Sequence, residues 1–179
     1  MGGSLPHDLS ARLEIILAFA ATKLFIQLFS FLFIIFYSGA SFSEVAPSDV
    51  VADEYGAVTA SLTGVAGDPA SGRKVFMNRK QGNCLACHVN SEMSEQTFHG
   101  AVGPVLDGVA DRWTAAELRG MLVNSKKVFE GTIMPSFYKD SGYNRTLKKF
   151  VGKTILKAQQ VEDVVAYLQT LKELSLINI

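Results

Sequence analysis

The chain has 179 residues, and its 17 basic and 17 acidic side chains leave no net charge at pH 7. This length suits one ordinary domain with an additional segment and is too short for two large domains. The balanced charge gives no indication of a nucleic-acid-binding protein or of a strongly acidic partner. No sequence period of about 20–50 residues recurs, which argues against a repeat architecture.

The first predicted element is an export signal at residues 1–43. An uncharged apolar run at 24–37 follows two basic residues, and small residues come directly after it. This order is typical of a secretory signal peptide, with cleavage expected after Ala40 or Ser43. A membrane-spanning helix would need a longer run that places Lys23 inside the bilayer, which is costly. A cleaved signal peptide is therefore predicted, and a retained membrane anchor is the alternative.

Residues 44–67 carry acidic side chains and no basic ones. They show no helical or strand periodicity, so an extended N-terminal arm is predicted here. Its composition is compatible with a solvated tail, the default interpretation, and with a segment that wraps a partner. The main domain is predicted to occupy residues 68–179.

The first helix of this domain is predicted to run from Asp68 to about Lys80. Asp68 is a good N-cap, and proline is favoured at the first helical position that follows it. Gly72 offers no side chain, so this helix could cross the last helix closely, against Tyr167 or Leu168.

Two more helices are predicted farther along the chain. Thr114 and Glu117 fit a capping box that opens a helix ending at about Val123. The last helix runs from about Gln159 to Leu171, where valines and leucines form one apolar stripe at helical spacing. Since no convincing strand is found, the predicted fold class is all-α.

The two cysteines of the chain, Cys84 and Cys87, are separated by two residues and followed by His88. A disulfide between them would close a very small loop and add little stability. A thioredoxin-type dithiol needs a strand–helix–strand context, and no alternating strand pattern precedes these residues. A zinc site would need two further ligands at suitable spacing, which the remaining histidines, His7 and His99, do not supply.

The spacing Cys84-Leu85-Ala86-Cys87-His88 matches the C-x-x-C-H signature of c-type haem attachment. In this chemistry the two thiolates add to the haem vinyl groups, and the adjacent imidazole binds the iron. Because the motif occurs once, one covalently attached haem is predicted, with His88 as an axial ligand.

Met134 is the predicted ligand on the opposite side of the iron. It precedes Pro135, which favours an extended conformation for the residue before it and suits a loop that presents a side chain. The other internal methionines are Met77, Met93 and Met121. Two of them fall in predicted amphipathic helices, where methionine usually fills the core, and Met93 is too close in sequence to His88. His99 is the alternative nitrogen ligand.

Two irregular segments remain. Residues 103–108 predict a tight loop that could bring the Pro104 carbonyl to the Nδ1–H of His88 and fix the imidazole, although an ordinary turn is the alternative. Residues 136–157 are rich in lysine and tyrosine. They are interpreted either as a docking surface near the haem edge or as a solvated loop.

The order C-x-x-C-H, G-P-x-L-x-G, M-P and a final helix with Ala-Tyr-Leu resembles class I cytochrome c. Five stretches together resemble more particularly the SoxX family, the monohaem subunit of the SoxAX sulfur-oxidation cytochrome; they are 62–76, 82–88, 102–113, 134–145 and 152–171. Two departures from that family are Thr154, where proline is expected, and Lys157, where a helix-capping threonine is expected.

The resemblance implies a class I cytochrome c fold and a periplasmic electron-transfer subunit with His88 and Met134 as iron ligands. It implies a heterodimer with a SoxA-type cytochrome, whose L-cysteine S-thiosulfotransferase activity acts on a SoxYZ-type carrier protein. Electrons would leave to a downstream cytochrome, and this chain would hold no catalytic residue of its own. The alternative is a free periplasmic or membrane-anchored electron shuttle.

Overall fold

The computed structural model describes residues 17–27 and 43–173, and the chain divides into two units, Met1–Ser41 and Phe42–Ile179. In the first unit, residues 17–27 form helix α1 with exposed side chains. Most of the predicted apolar run and the cleavage position after Ala40 lie outside the described residues. Within the two described ranges, no helix is long and apolar enough to cross a membrane.

The second unit contains the remaining helices, joined by irregular segments and short 3₁₀ turns. These helices are α2 (Pro69–Met77), α3 (Val109–Arg112), α4 (Ala115–Val128) and α5 (Ala158–Leu168). No β-strand occurs in the part of the chain that the structure describes. The predicted all-α class is confirmed.

Helix α2 begins as predicted and ends earlier than predicted. The Asp68 carboxylate accepts hydrogen bonds from the N–H groups of Ala70 and Ser71, both at 3.1 Å. The helix stops at Met77 because Asn78 has left the helical conformation, with φ −71° and ψ 112°. The expected continuation to Lys80 was therefore wrong.

Helix α4 has the predicted capping box and a longer course than predicted. Thr114 Oγ1 accepts from the Glu117 N–H at 3.3 Å, and the Glu117 carboxylate accepts from the Thr114 N–H at 2.8 Å. The helix does not stop at Val123; it kinks at Asn124, which has φ −147° and ψ 79°, and then makes another turn to Val128.

Helix α5 carries the predicted apolar stripe, which is buried; its members are Val161, Val164, Val165, Leu168 and Leu171. The helix itself ends at Leu168, three residues before the predicted end, and a turn continues to Leu171. At its start Lys157 makes no side-chain capping bond, and Gln160 Oε1 accepts from the Lys157 N–H at 3.0 Å. Because a lysine side chain has no hydrogen-bond acceptor, only the bond to Gln160, one half of a capping box, forms at this helix start.

Helices α2 and α5 cross in close contact, as predicted. A Cβ atom added at Gly72 would lie 1.9 Å from the Asp163 carbonyl oxygen and 2.9 Å from the Cβ of Tyr167. Tyr167, one of the two predicted neighbours of Gly72, is therefore found there. The group nearest to Gly72, however, is the backbone carbonyl of Asp163 on α5. The rings of Phe76 and Tyr167 meet edge to face at the same crossing, with centroids 5.4 Å apart.

We expect Gly72→Ala to lower the free energy of unfolding by about 1–3 kcal/mol or more, because the added methyl group overlaps a backbone carbonyl that cannot move aside alone. Denaturant unfolding followed by circular dichroism would measure the loss. Lys74→Ala, at an exposed position of the same helix, is the matched control and should change stability little. Equal stability of Gly72→Ala and the wild type would contradict this crossing.

The N-terminal arm is not a solvated tail. It is largely extended, but Val58 and Leu62 are each only 1% exposed. The Val58 N–H donates to the Ala116 carbonyl at 2.9 Å, and the Leu62 N–H donates to the Glu162 carboxylate at 2.8 Å. Composition suggested a tail because every charged side chain of the segment is acidic and no periodicity is visible, whereas the two buried apolar residues decide where the segment lies.

Candidate functional site

Cys84, Cys87 and His88 lie on one tight turn. The turn is a 3₁₀ helix at Cys84–Ala86, entered through Asn83 in the left-handed conformation with φ 50° and ψ 35°. Asparagine tolerates this conformation better than most residues. The N–H groups of Cys87 and His88 both donate to the Cys84 carbonyl, at 3.1 and 3.0 Å. Local hydrogen bonds thus gather two sulfurs and an imidazole in five residues.

One of the alternative interpretations of the cysteines does not fit this turn. Both thiols are free, and burial raises the pKa of the Cys84 thiol to about 12. A redox-active dithiol depends instead on a thiol whose pKa is lowered. Among the described residues, no group of three or more His, Cys, Asp or Glu side chains could hold a metal ion.

A loop lies directly against the His88 ring. The Gly103 N–H donates to the Cys87 carbonyl at 2.7 Å, and the Leu106 N–H donates to the Val89 carbonyl at 2.9 Å. A Cβ atom at Gly103 would lie 2.3 Å from Cε1 of His88. Glycine at this position therefore allows the loop and the imidazole to approach each other closely.

Pro104 reaches His88 from this loop. The His88 Nδ1 lies 2.7 Å from the Pro104 carbonyl oxygen. In the tautomer that donates from Nδ1, this hydrogen bond orients the ring and leaves Nε2 for a metal. Arg112 holds the same loop, because its guanidinium donates to the carbonyls of Val105 and Asp107, both at 2.8 Å.

Ser91 and Asp107 connect the loop to the segment that follows His88. The Asp107 carboxylate accepts from the Ser91 N–H at 2.8 Å and from the Ser91 hydroxyl at 2.6 Å. Sequence reasoning missed these two residues and Arg112. The only signal for Arg112 was a basic residue four positions after the loop, and that spacing did not single it out.

His99 is occupied by other contacts. Its Nδ1 accepts from the Asn90 N–H at 3.3 Å, and its Nε2 lies 3.1 Å from the Met93 carbonyl oxygen, to which it donates. Both ring nitrogens are therefore used within the protein. This arrangement disfavours His99 as the alternative iron ligand.

Two of the four internal methionines, Met93 and Met121, are buried in the core. Met77 and Met134 are both half-buried and pack against the buried cluster. Met134 differs from Met77 in its place in the fold, because Met77 ends helix α2 whereas Met134 lies in an irregular loop after the end of α4.

The end of α4 holds the loop of Met134. The Met134 carbonyl accepts from the Ser125 hydroxyl and from the Lys126 ammonium group, both at 2.7 Å. On the other side of the loop, the Ser136 hydroxyl donates to Asn124 Oδ1 at 3.1 Å. The kink at Asn124 turns these side chains toward the loop, a feature that no sequence pattern predicted.

The 136–157 segment is anchored to the same loop. The Tyr143 hydroxyl donates to the Ser136 carbonyl at 3.1 Å. The N–H groups of Ile155 and Leu156 both donate to the Phe137 carbonyl at 3.0 Å. The segment therefore begins and ends beside the loop of Met134, although many of its side chains are exposed.

The comparisons with known proteins agree on one family. The family model described as Cytochrome c matches residues 69–172. Among solved structures, the chain is similar to a chain from the crystal structure of SoxXA from P. pantotrophus, with 48% sequence identity and a TM-score of 0.69; the match covers 73% of this chain and 100% of that chain. Among curated proteins, no significant match was found.

Proposed function

The chain belongs to the cytochrome c family as a SoxX-type member, and we propose that it is the electron-transferring subunit of a periplasmic thiosulfate-oxidising complex. The observation that carries this proposal is the 48% identity over the whole of a chain from SoxXA. Membership of the family implies covalently bound haem c, which supplies a one-electron redox centre.

The residues of the site fit one such haem. Cys84 and Cys87 would form the two thioether bonds, since both are free thiols on a single turn. His88 and Met134 would be the axial ligands. The His88 Nδ1 is taken by the Pro104 carbonyl, so Nε2 would be the nitrogen left to bind the iron, and Gly103 leaves room for the imidazole. A thioether on the other side favours the ferrous state and electron transfer over oxygen binding.

The resemblance to SoxX implies a division of roles between two subunits. A SoxA-type cytochrome in a heterodimer would carry the L-cysteine S-thiosulfotransferase chemistry, on a SoxYZ-type carrier that this chain meets only indirectly. The residues agree with this division, because no cysteine remains in the chain for sulfur chemistry once Cys84 and Cys87 are bound to haem. Electrons would pass from the partner to a downstream cytochrome, and His88 and Met134 would hold the redox centre between the two.

The predicted signal peptide supports a periplasmic location for this subunit. Covalent haem attachment through two thiolates suits a compartment reached through the predicted signal peptide, cleaved after Ala40 or Ser43. We therefore assign the mature chain to the periplasm. Mass spectrometry of the mature protein should show that it starts at residue 41 or 44. A protein that still begins at the first residue would support the membrane-anchored alternative.

Purification from the native periplasm without tags tests the complex. We expect this chain to elute from a sizing column together with a larger c-type cytochrome, and thiosulfate with the carrier protein to reduce the pair. Elution as a small monomer that thiosulfate does not reduce, alone or after the fractions are recombined, would contradict the proposal and favour a free electron shuttle.

Met134→Ala tests the ligand assignment. The variant should keep its covalent haem but lose the sulfur–iron absorption band, and its reduction potential should fall by on the order of 0.1 V because the thioether no longer stabilises the ferrous state. Spectroscopy and redox titration measure both effects. Met121→Leu, a change at a buried core methionine, should keep the band. Retention of the band in Met134→Ala would mean that another residue binds the iron.

A further inference from the structure

Tyr138 is a buried tyrosine four residues after the proposed ligand Met134, and it is only 2% exposed. Its hydroxyl donates to the Val45 carbonyl at 2.6 Å, and a carboxylate oxygen of Glu44 lies 3.0 Å away. The residues that meet it thus come from the N-terminal arm, 93 and 94 positions earlier in the chain. We call residues 44–62 the N-terminal strap.

The strap is itself held in place at its far end. The Val45 N–H donates to the Leu62 carbonyl at 2.8 Å, so the two ends of the strap are bonded to each other. The Leu62 N–H in turn donates to the buried Glu162 carboxylate on α5 at 2.8 Å. A rigid segment therefore presents the Val45 carbonyl to Tyr138.

The strap also holds α4, the helix that binds the loop of Met134. The Val58 N–H donates to the Ala116 carbonyl, and the Val58 carbonyl accepts from Arg119 at 2.8 Å. A Cβ atom at Gly56 would lie 2.8 Å from a methyl group of Val128, so the strap also packs against the end of this helix.

Tyr138 is connected to Met134 through the loop itself. The Phe137 N–H donates to the Leu122 carbonyl on α4 at 2.8 Å, and Ser125 on the same helix binds the Met134 carbonyl. The loop from Met134 to Tyr138 is therefore fastened by α4 near its beginning and by the strap at its end. Without the second attachment, the loop would keep its bonds to α4, the bond from Tyr143 to Ser136 and those between Phe137 and residues 155–156, but Tyr138 would lose its polar anchor.

We propose that the N-terminal strap is part of the support for the sixth iron ligand, with Tyr138 as a positioning residue for the Met134 thioether. The inference rests on the proposed His88 and Met134 ligation. Either predicted cleavage position leaves Glu44 and Val45 in the mature protein, so the contact persists after export. The strap then serves the haem site although none of its residues would touch the iron.

Tyr138→Phe in the full-length haem-loaded protein tests this role, with imidazole as the probe of ligand release. The variant keeps the ring and loses the hydroxyl, so the loop should release Met134 more easily. We expect the ferric variant to bind imidazole roughly three- to tenfold more tightly than the wild type, the effect of one lost hydrogen bond. The sulfur–iron band should also disappear at a lower temperature than in the wild type.

Tyr55→Phe is the matched control, because Tyr55 lies in the same strap with its side chain 77% exposed. It should leave imidazole binding unchanged. A second variant that lacks residues 44–46 of the mature chain removes the partner instead of the tyrosine. It should increase imidazole affinity at least as much, because it also removes the bond between Val45 and Leu62. Adding Tyr138→Phe to this variant should change nothing further, because the Tyr138 hydroxyl then has no partner in the strap.

The outcomes separate this inference from the proposed function. If Tyr138→Phe shifts the denaturant midpoint but leaves the band and the imidazole affinity unchanged, the strap is only structural and the inference is overturned. Additive effects in the double variant would also overturn it. A wild-type protein without the sulfur–iron band would overturn the Met134 ligation, and the inference with it.

Discussion

A Cys84→Ser, Cys87→Ser variant should contain no covalently bound haem and should lose most of its helical circular dichroism signal. The two thiols are the only cysteines of the chain, so no other residue can form the thioether bonds. A small domain buries a limited fraction of its surface and depends strongly on any group that adds to its core. We therefore expect the apoprotein to be largely unfolded.

Circular dichroism and pyridine-haem analysis of the same preparation would measure these two losses. Met121→Leu provides the control, since it changes a buried core methionine on α4 and leaves both attachment cysteines in place. Native helicity in the haem-free double variant would show that the helices α2, α4 and α5 form a stable core by themselves, contrary to this prediction.

Arg119→Met should lower the free energy of unfolding by about 3–5 kcal/mol, a large part of the stability of an ordinary domain. Arg119 and Glu162 form a buried bidentate ion pair, with Nε–Oε1 at 2.9 Å and Nη2–Oε2 at 3.0 Å. The substitution leaves the Glu162 carboxylate buried without its cation. It also removes the donor to the Val58 carbonyl and so loosens the N-terminal strap.

Denaturant unfolding of the haem-loaded protein would measure this loss. An Arg119→Met, Glu162→Leu double variant should regain part of it, because a buried charge is no longer left without a partner. It should not regain all of it, since the Leu62 N–H would lose its acceptor. Arg73, whose surface ion pairs are with Glu92 and Glu95, supplies the comparison: Arg73→Met should cost no more than about 1 kcal/mol for each of these pairs. If Arg119→Met lowered the free energy of unfolding as little as Arg73→Met does, the buried ion pair would be contradicted.

Much of the fold could be predicted because its signals are local. Asp68 and the pair Thr114 and Glu117 cap the helices that they were expected to cap. The ends of the helices were less predictable. Helix α4 continues past Val123 through a kink at Asn124. The Asn124 side chain accepts a hydrogen bond there from Ser136, which lies in another part of the chain. The residues next to Asn124 in the sequence give no sign that Ser136 will bond to it.

The chemistry of the proposed haem site is predicted from the sequence alone. Attachment through Cys84 and Cys87 and ligation by His88 would require fixed spacing along the chain, and a turn of five residues contains all of it. The support of the site, in contrast, is visible only in the folded chain. The N-terminal strap reaches Tyr138 across 93 residues, and Arg112 and Ser125 hold the loops of Pro104 and Met134 through backbone carbonyls. A carbonyl is the same group in every residue, so its partners are chosen by the fold and leave no mark in the sequence.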